Sequence, residues 1–87
     1  MAATLYDELE NNWSIDKRVF FAEETDIALS NPSDSFAFWT TSTDPAAPTI
    51  QVRRSNPSGP KSMRGVVIPA GTYLWLGGDG AAICVET

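Results

Sequence analysis

Proline and glycine cut this chain into short pieces. Clusters of turn residues stand at "NPSD" (31–34), "STDPAAP" (42–48), "SNPSGPKS" (55–62), "PAG" (69–71) and "GGDG" (77–80). Proline removes a backbone donor, glycine supplies positive φ, and Asn, Asp and Ser bond locally to the backbone, so each cluster ends regular structure. The pieces between them are "TDIALS", "SFAFWTT", "TIQVRR", "MRGVVI", "GTYLWL" and "AAICVET". They have strand length and are rich in β-branched, aliphatic and aromatic residues. With a further strand from Trp13, they make about seven short strands. The expected fold is therefore all-β: a small antiparallel β-sandwich or jelly-roll-like barrel.

The alternation within these pieces sets their faces. Trp13, Ile15, Lys17, Val19 and Phe21 would share one side of a strand, with Ser14, Asp16 and Arg18 on the other. Lys17 interrupts the apolar side and is expected to snorkel at its edge. In "SFAFWTT", Phe36 and Phe38 fall on one face, Ala37 and Trp39 on the other. A strand apolar on both faces belongs at the centre of a sheet or in an interface. In "TIQVRR", Ile50 and Val52 would point inward. "SNPSGPKS" reads as the longest exposed loop. "GGDG" lies between two strand-forming runs and reads as a hairpin turn. Phosphate loops precede a helix and deliver the charge to a lysine or a helix N-terminus; nothing after Gly80 is helical. Pro69-Ala70-Gly71 is read as a second corner between strands.

Residues 1–12 form a separate expectation, an N-terminal arm or short helix ahead of a β-sandwich domain at 13–87. Thr4 would cap a turn, Asp7 and Glu8 would sit near its positive end, and Leu5 and Leu9 fall four apart. The segment is either a turn packed on the domain or an arm reaching a neighbour.

Length and charge narrow the function. Eighty-seven residues make one domain with a limited core, and domains of this size commonly gain stability from disulfides, metals or oligomerisation. Cys84 is the only cysteine and is read as a packed thiol, and the chain has no histidine, so a zinc site lacks ligands. Oligomerisation is the expected device. The net charge of −5 argues against nucleic acid as partner. Residues 1–44 carry nine acids and two bases, a net of −7, whereas residues 45–87 carry four bases and two acids, a net of +2. That asymmetry is read first as ordinary surface charge and second as a complementary contact between copies or with a larger partner. "MAATLYDELENNW" has no basic start and no apolar core, so no signal peptide is expected, and no run approaches a membrane span. The sequon Asn12-Trp13-Ser14 is discounted for the same reason.

No catalytic set stands out. Asp16, Asp26, Asp34, Asp44 and Asp79 are scattered, mostly in turns, where they bond the backbone. Serines and threonines lack a histidine to activate them. An enzyme is not expected, nor a cofactor, a metal or a small-molecule substrate. Trp13, Trp39, Trp75, Tyr73 and Phe38 are read first as core or interface and second as a sugar-stacking platform. Arg53, Arg54, Lys61 and Arg64 flank a flexible loop and are read first as its solvated charges and second as docking groups for an acidic surface.

"FAFWTTSTDPAAPTI" and "VVIPAGTYLWLGGDGAAICVET" resemble the small β-sandwich proteins of tailed-phage virions. In those a Trp-containing strand precedes a Pro-rich loop, and a "PAGTY-aromatic" hairpin leads to a short apolar last strand. The resemblance covers roughly residues 27–87. It implies a head decoration (cement) protein, often a homotrimer, bound to the major capsid protein on the virion surface after synthesis in the host cytoplasm. Tail, baseplate or fibre components are the alternative, and a carbohydrate-binding module a further one. On this reading Trp13, Phe38, Trp39 and Trp75 make the trimer or capsid contacts, with Arg53, Arg54 and Arg64 as docking charges.

Overall fold

The turn clusters end strands, and the strands assemble into two four-stranded antiparallel sheets in a computed structural model that describes residues 2–87. Eight strands run β1 (Ala3–Tyr6), β2 (Arg18–Phe21), β3 (Thr25–Ser30), β4 (Ala37–Ser42), β5 (Asn56–Ser58), β6 (Met63–Ile68), β7 (Thr72–Gly78) and β8 (Ile83–Glu86). The first sheet has the order β1-β8-β3-β6 and the second β2-β7-β4-β5. First pairs with last, second with seventh, third with sixth and fourth with fifth. This is one long hairpin rolled on itself, closed by the β3–β8 and β4–β7 pairings. It is the strand order of an eight-stranded jelly roll.

Alternation fills the space between the sheets. Ile27 and Leu29 of β3, Ile68 of β6 and Ile83 and Val85 of β8 meet Phe21 of β2, Ala37 and Trp39 of β4 and Leu74 and Leu76 of β7. Each such aliphatic side chain, fully buried, contributes about 1.5–3 kcal/mol. Tyr6 packs against this core from β1, and burial pushes its hydroxyl pKa above the ordinary 10.0. A second, smaller cluster lies on the opposite face of the second sheet, where Trp13 and Val52 cover Trp75, with Phe38 and Tyr73 beside them. The two-sided apolar pattern of "SFAFWTT" is thereby explained. β4 sits between β7 and β5, with Ala37 and Trp39 in the main core and Phe38 in the outer cluster.

Several expectations fail. Residues 2–12 contain no helix, residue 1 lying outside the described residues: β1 pairs with β8, and Leu9, 1% exposed, belongs to the main core. The expected arm is thus part of the sandwich. The strand from Trp13 begins only at Arg18. Before it, Ser14 caps a single 3₁₀ turn at Ile15–Lys17 by accepting from the Asp16 amide, which turns Ile15 outward. Lys17 is held by donating Nζ to the Asp7 carbonyl at 2.8 Å. "TIQVRR" is no strand but a loop ending in a 3₁₀ turn at Val52–Arg54; Val52 is buried and Ile50 exposed. Within "SNPSGPKS" the short β5 pairs with β4. Cys84 alternates with buried Ile83 and Val85, and so lies half-buried outside the core.

The "GGDG" hairpin is absent as well. β7 and β8 lie in different sheets, so residues 79–82 cross between layers. Gly77 is required by contact: a Cβ there would lie 2.8 Å from Val52 Cγ1 and 3.1 Å from Trp13 Cζ3. Gly80 turns the chain at φ +81 and donates its N–H to the Leu9 carbonyl at 2.8 Å. Gly78 donates to Glu10, and Leu9 to Ala81, so residues 9–10 strap the crossing. Pro69-Ala70-Gly71 is the corner expected, and it too passes between sheets, from β6 to β7.

Candidate interaction surface

One end of the sandwich carries a groove of about 480 Å³. Phe36, just ahead of β4, and Phe38 within it form an apolar wall, and Pro60 adds to it. The polar rim comes from distant parts of the chain. Arg53 is placed by the 3₁₀ turn at 52–54, Asp79 by the crossing after β7, and Asn11 by the strap. Arg53 donates from Nη2 to Asp79 Oδ2 at 3.1 Å. Both side chains are well exposed, so the pair adds at most about 1 kcal/mol to stability. Its consequence is positional: a cation and an anion sit side by side next to two phenyl rings. Phe36 is 56% exposed.

Arg53 also borders a second groove of about 540 Å³, between the strap and the loop before Val52, lined by Trp13, Pro48 and Ile50. Trp13 donates Nε1 to the Ile50 carbonyl at 2.7 Å, which anchors that loop. Arg18 anchors its other end by donating to the Pro45 carbonyl. The Arg18 guanidinium also lies 4.6 Å from the Tyr73 ring centre and 5.2 Å from that of Trp75, within cation–π range. Phe20 stacks obliquely on Tyr73 at 4.7 Å and leaves half its surface open to solvent.

Of the seven contact residues expected from the sequence, Phe38 and Arg53 converge on the first groove. Arg54 is exposed on the same 3₁₀ turn as Arg53. Arg64 lies on β6, its guanidinium 5.7 Å from the Trp39 ring centre. The tryptophans take the core side of their core-or-interface reading. Trp75 is completely buried, donating Nε1 to Ser42 Oγ at 2.9 Å. Trp39 is a core residue, and Trp13 is spent largely on covering Trp75. Large aromatic area is used internally first in a domain this small. Phe36, Phe20 and Asp79 were missed as surface residues. Phe20 carried a signal, an aromatic on the polar side of the alternation, where it continues the Ser14, Asp16 and Arg18 series.

Among the described residues no cluster of three or more His, Cys, Asp or Glu side chains is placed to hold a metal ion, and no helix is long and apolar enough to cross a membrane. The fold is an eight-stranded jelly roll with an open groove lined by Phe36, Phe38, Arg53 and Asp79. No protein-family model, curated protein or solved structure matches the chain.

Proposed function

We propose that this chain is a structural virion protein of tailed phages, a decoration protein that stabilises a capsid by binding across its subunits. The observation that carries the reading is the groove, where exposed Phe36 and half-buried Phe38 stand beside the Arg53–Asp79 pair. Phe36, Phe38 and Asp79 all fall inside the two stretches that resemble virion sandwiches. An aromatic wall with a charged rim suits a protein loop: the rings take an apolar side chain, and the ion pair orients polar groups around it. The jelly-roll order occurs in capsid domains and also in lectins, so the fold supports the class and the site must support the role.

The mechanism needs no chemistry. A protein that binds the assembled shell more tightly than free subunits shifts the equilibrium toward assembly, and many weak contacts on one shell add up. The test is co-sedimentation with purified heads, paired with quantitative mass spectrometry of particles against the major capsid protein. Phe36→Ser with Arg53→Glu changes only exposed groups and is expected to weaken head binding about tenfold or more. A copy number comparable with the capsid protein supports decoration. A handful of copies moves the protein to the tail or a vertex.

One observation favours a second reading. The exposed Phe36 ring has the Asp34 carboxylate and the Asn11 amide in the same groove, a combination that also suits stacking and hydrogen bonding to a sugar ring. Glycan-array binding lost in Phe36→Ser would select this reading over capsid docking.

A further inference from the structure

We propose that β6 pairs with β6 of a second copy, antiparallel about a twofold axis at Gly65, joining two first sheets into one continuous sheet. β6 is the outermost strand of its sheet and bonds only to β3. Which of its backbone groups are free follows from one bond. Asn31 donates its N–H to the Ser62 carbonyl at 2.9 Å, in the same register as Ser30 with Met63 and Leu29 with Arg64. Bonded and non-bonded pairs alternate in an antiparallel ladder. Arg64, Val66 and Ile68 therefore bond to β3, and the N–H and C=O groups of Met63, Gly65 and Val67 point away from the molecule.

Natural edges are usually guarded by proline, inward-pointing charge, short length or a bulge. The other three edges have such features: β5 is three residues long with Pro57 inside it, and β1 and β2 have four residues each, β2 starting at Arg18. β6 is the longest edge, with six residues and no proline; its one guard is Arg64, on the same face as Val66 and Ile68, with its guanidinium by the Trp39 ring. Met63 is 73% and Val67 56% exposed, and nothing lies within 4 Å of where a Gly65 Cβ would stand.

The occupant follows from self-complementarity. Set antiparallel on itself about Gly65, the strand brings Met63 opposite Val67 of the copy, Gly65 opposite Gly65, and Val67 opposite Met63. The free backbone groups are the odd-numbered ones on both copies, so each of these pairs exchanges both of its hydrogen bonds. The two exposed apolar side chains meet one another twice, the kind of cross-strand pair that stabilises sheets. A twofold contact of this kind closes on itself and does not propagate. It is small, so it is weak in solution, with a dissociation constant of about 10 μM to 1 mM. It strengthens where copies are held side by side on one surface. It involves none of the groove residues and does not depend on the docking role.

The test is sedimentation equilibrium from micromolar to about millimolar protein, with thermal unfolding as the control for folding. The unaltered chain is expected to double its mass with concentration. Met63→Lys with Val67→Lys places cations opposite one another twice and is expected to weaken the dimer about tenfold or more while leaving thermal unfolding of the monomer unchanged. Met63→Lys with Val67→Glu places opposite charges face to face and is expected to restore it, which reports the register itself. A monomer at every concentration, a threefold mass, or a dimer indifferent to both variants overturns the β6 pairing.

Discussion

Gly77 shows how one missing side chain fixes the outer cluster. Val52 Cγ1 approaches to 2.8 Å of where its Cβ would be, so the loop carrying Val52 lies directly on the backbone of β7. Gly77→Ala is therefore expected to destabilise the fold by about 1–3 kcal/mol, as overpacking does, measured by urea unfolding. Combined with Val52→Ala, its cost should be less than the sum of the two single changes, because the clashing methyl is gone. Asn31 does comparable work at the "NPSD" turn. Buried at 1% exposure, it donates from Nδ2 to the Ser35 and Ser58 carbonyls and accepts at Oδ1 from Ser33. Every polar group of that side chain is thus engaged, as burial requires. Asparagine in a turn cluster was legible as a turn residue; its role in tying β5 to the turn was not, since Ser58 lies far along the chain.

Among the elements, β3, β4, β6, β7 and β8 could be read directly. Their alternation and flanking turn residues are local signals, and local signals were enough. β1 was missed because "ATLY" is short and mostly exposed, while Leu5 and Leu9 mimic a helical spacing. What makes it a strand is β8, at the far end of the sequence. The 3₁₀ turn at Ile15–Lys17 interrupts a good strand pattern because Ser14 offers its amide partner a cap, a competition that alternation alone does not weigh. "GGDG" misled for a related reason: glycine announces a turn without saying whether it returns to the same sheet. The candidate groove was half legible. Phe38 and Arg53 were named, but only folding brings Asp79 and Asn11 beside them. Leu9 separates the strap from a detached arm. Leu9→Ala is expected to cost about 2–5 kcal/mol, the loss typical of a buried leucine, read from the shift of the urea midpoint. An arm lying free of the domain would show almost none.

At the scale of the molecule, two pairs of the long hairpin close the largest loops, joining the most distant parts of the sequence: β1 with β8 and β2 with β7. Loop closure must precede these contacts, and their reward comes late. Refolding is expected on the time scale of about milliseconds to seconds, followed by stopped-flow tryptophan fluorescence as Trp39 and Trp75 become buried. Relaxation in microseconds would contradict these two pairs as the slow step.

The pairing of β1 with β8 also decides how the molecule answers a pulling force. Ala2 and Thr87 exchange backbone hydrogen bonds, so the two ends of the described chain leave from the same place, at the open mouth of an antiparallel ladder. Traction applied to both ends opens that ladder like a zip, one bond at a time, because the bonds lie across the strands and along the pull. A strand dragged lengthwise past its neighbour would instead load all its bonds together. The module is thus easily peeled from its ends.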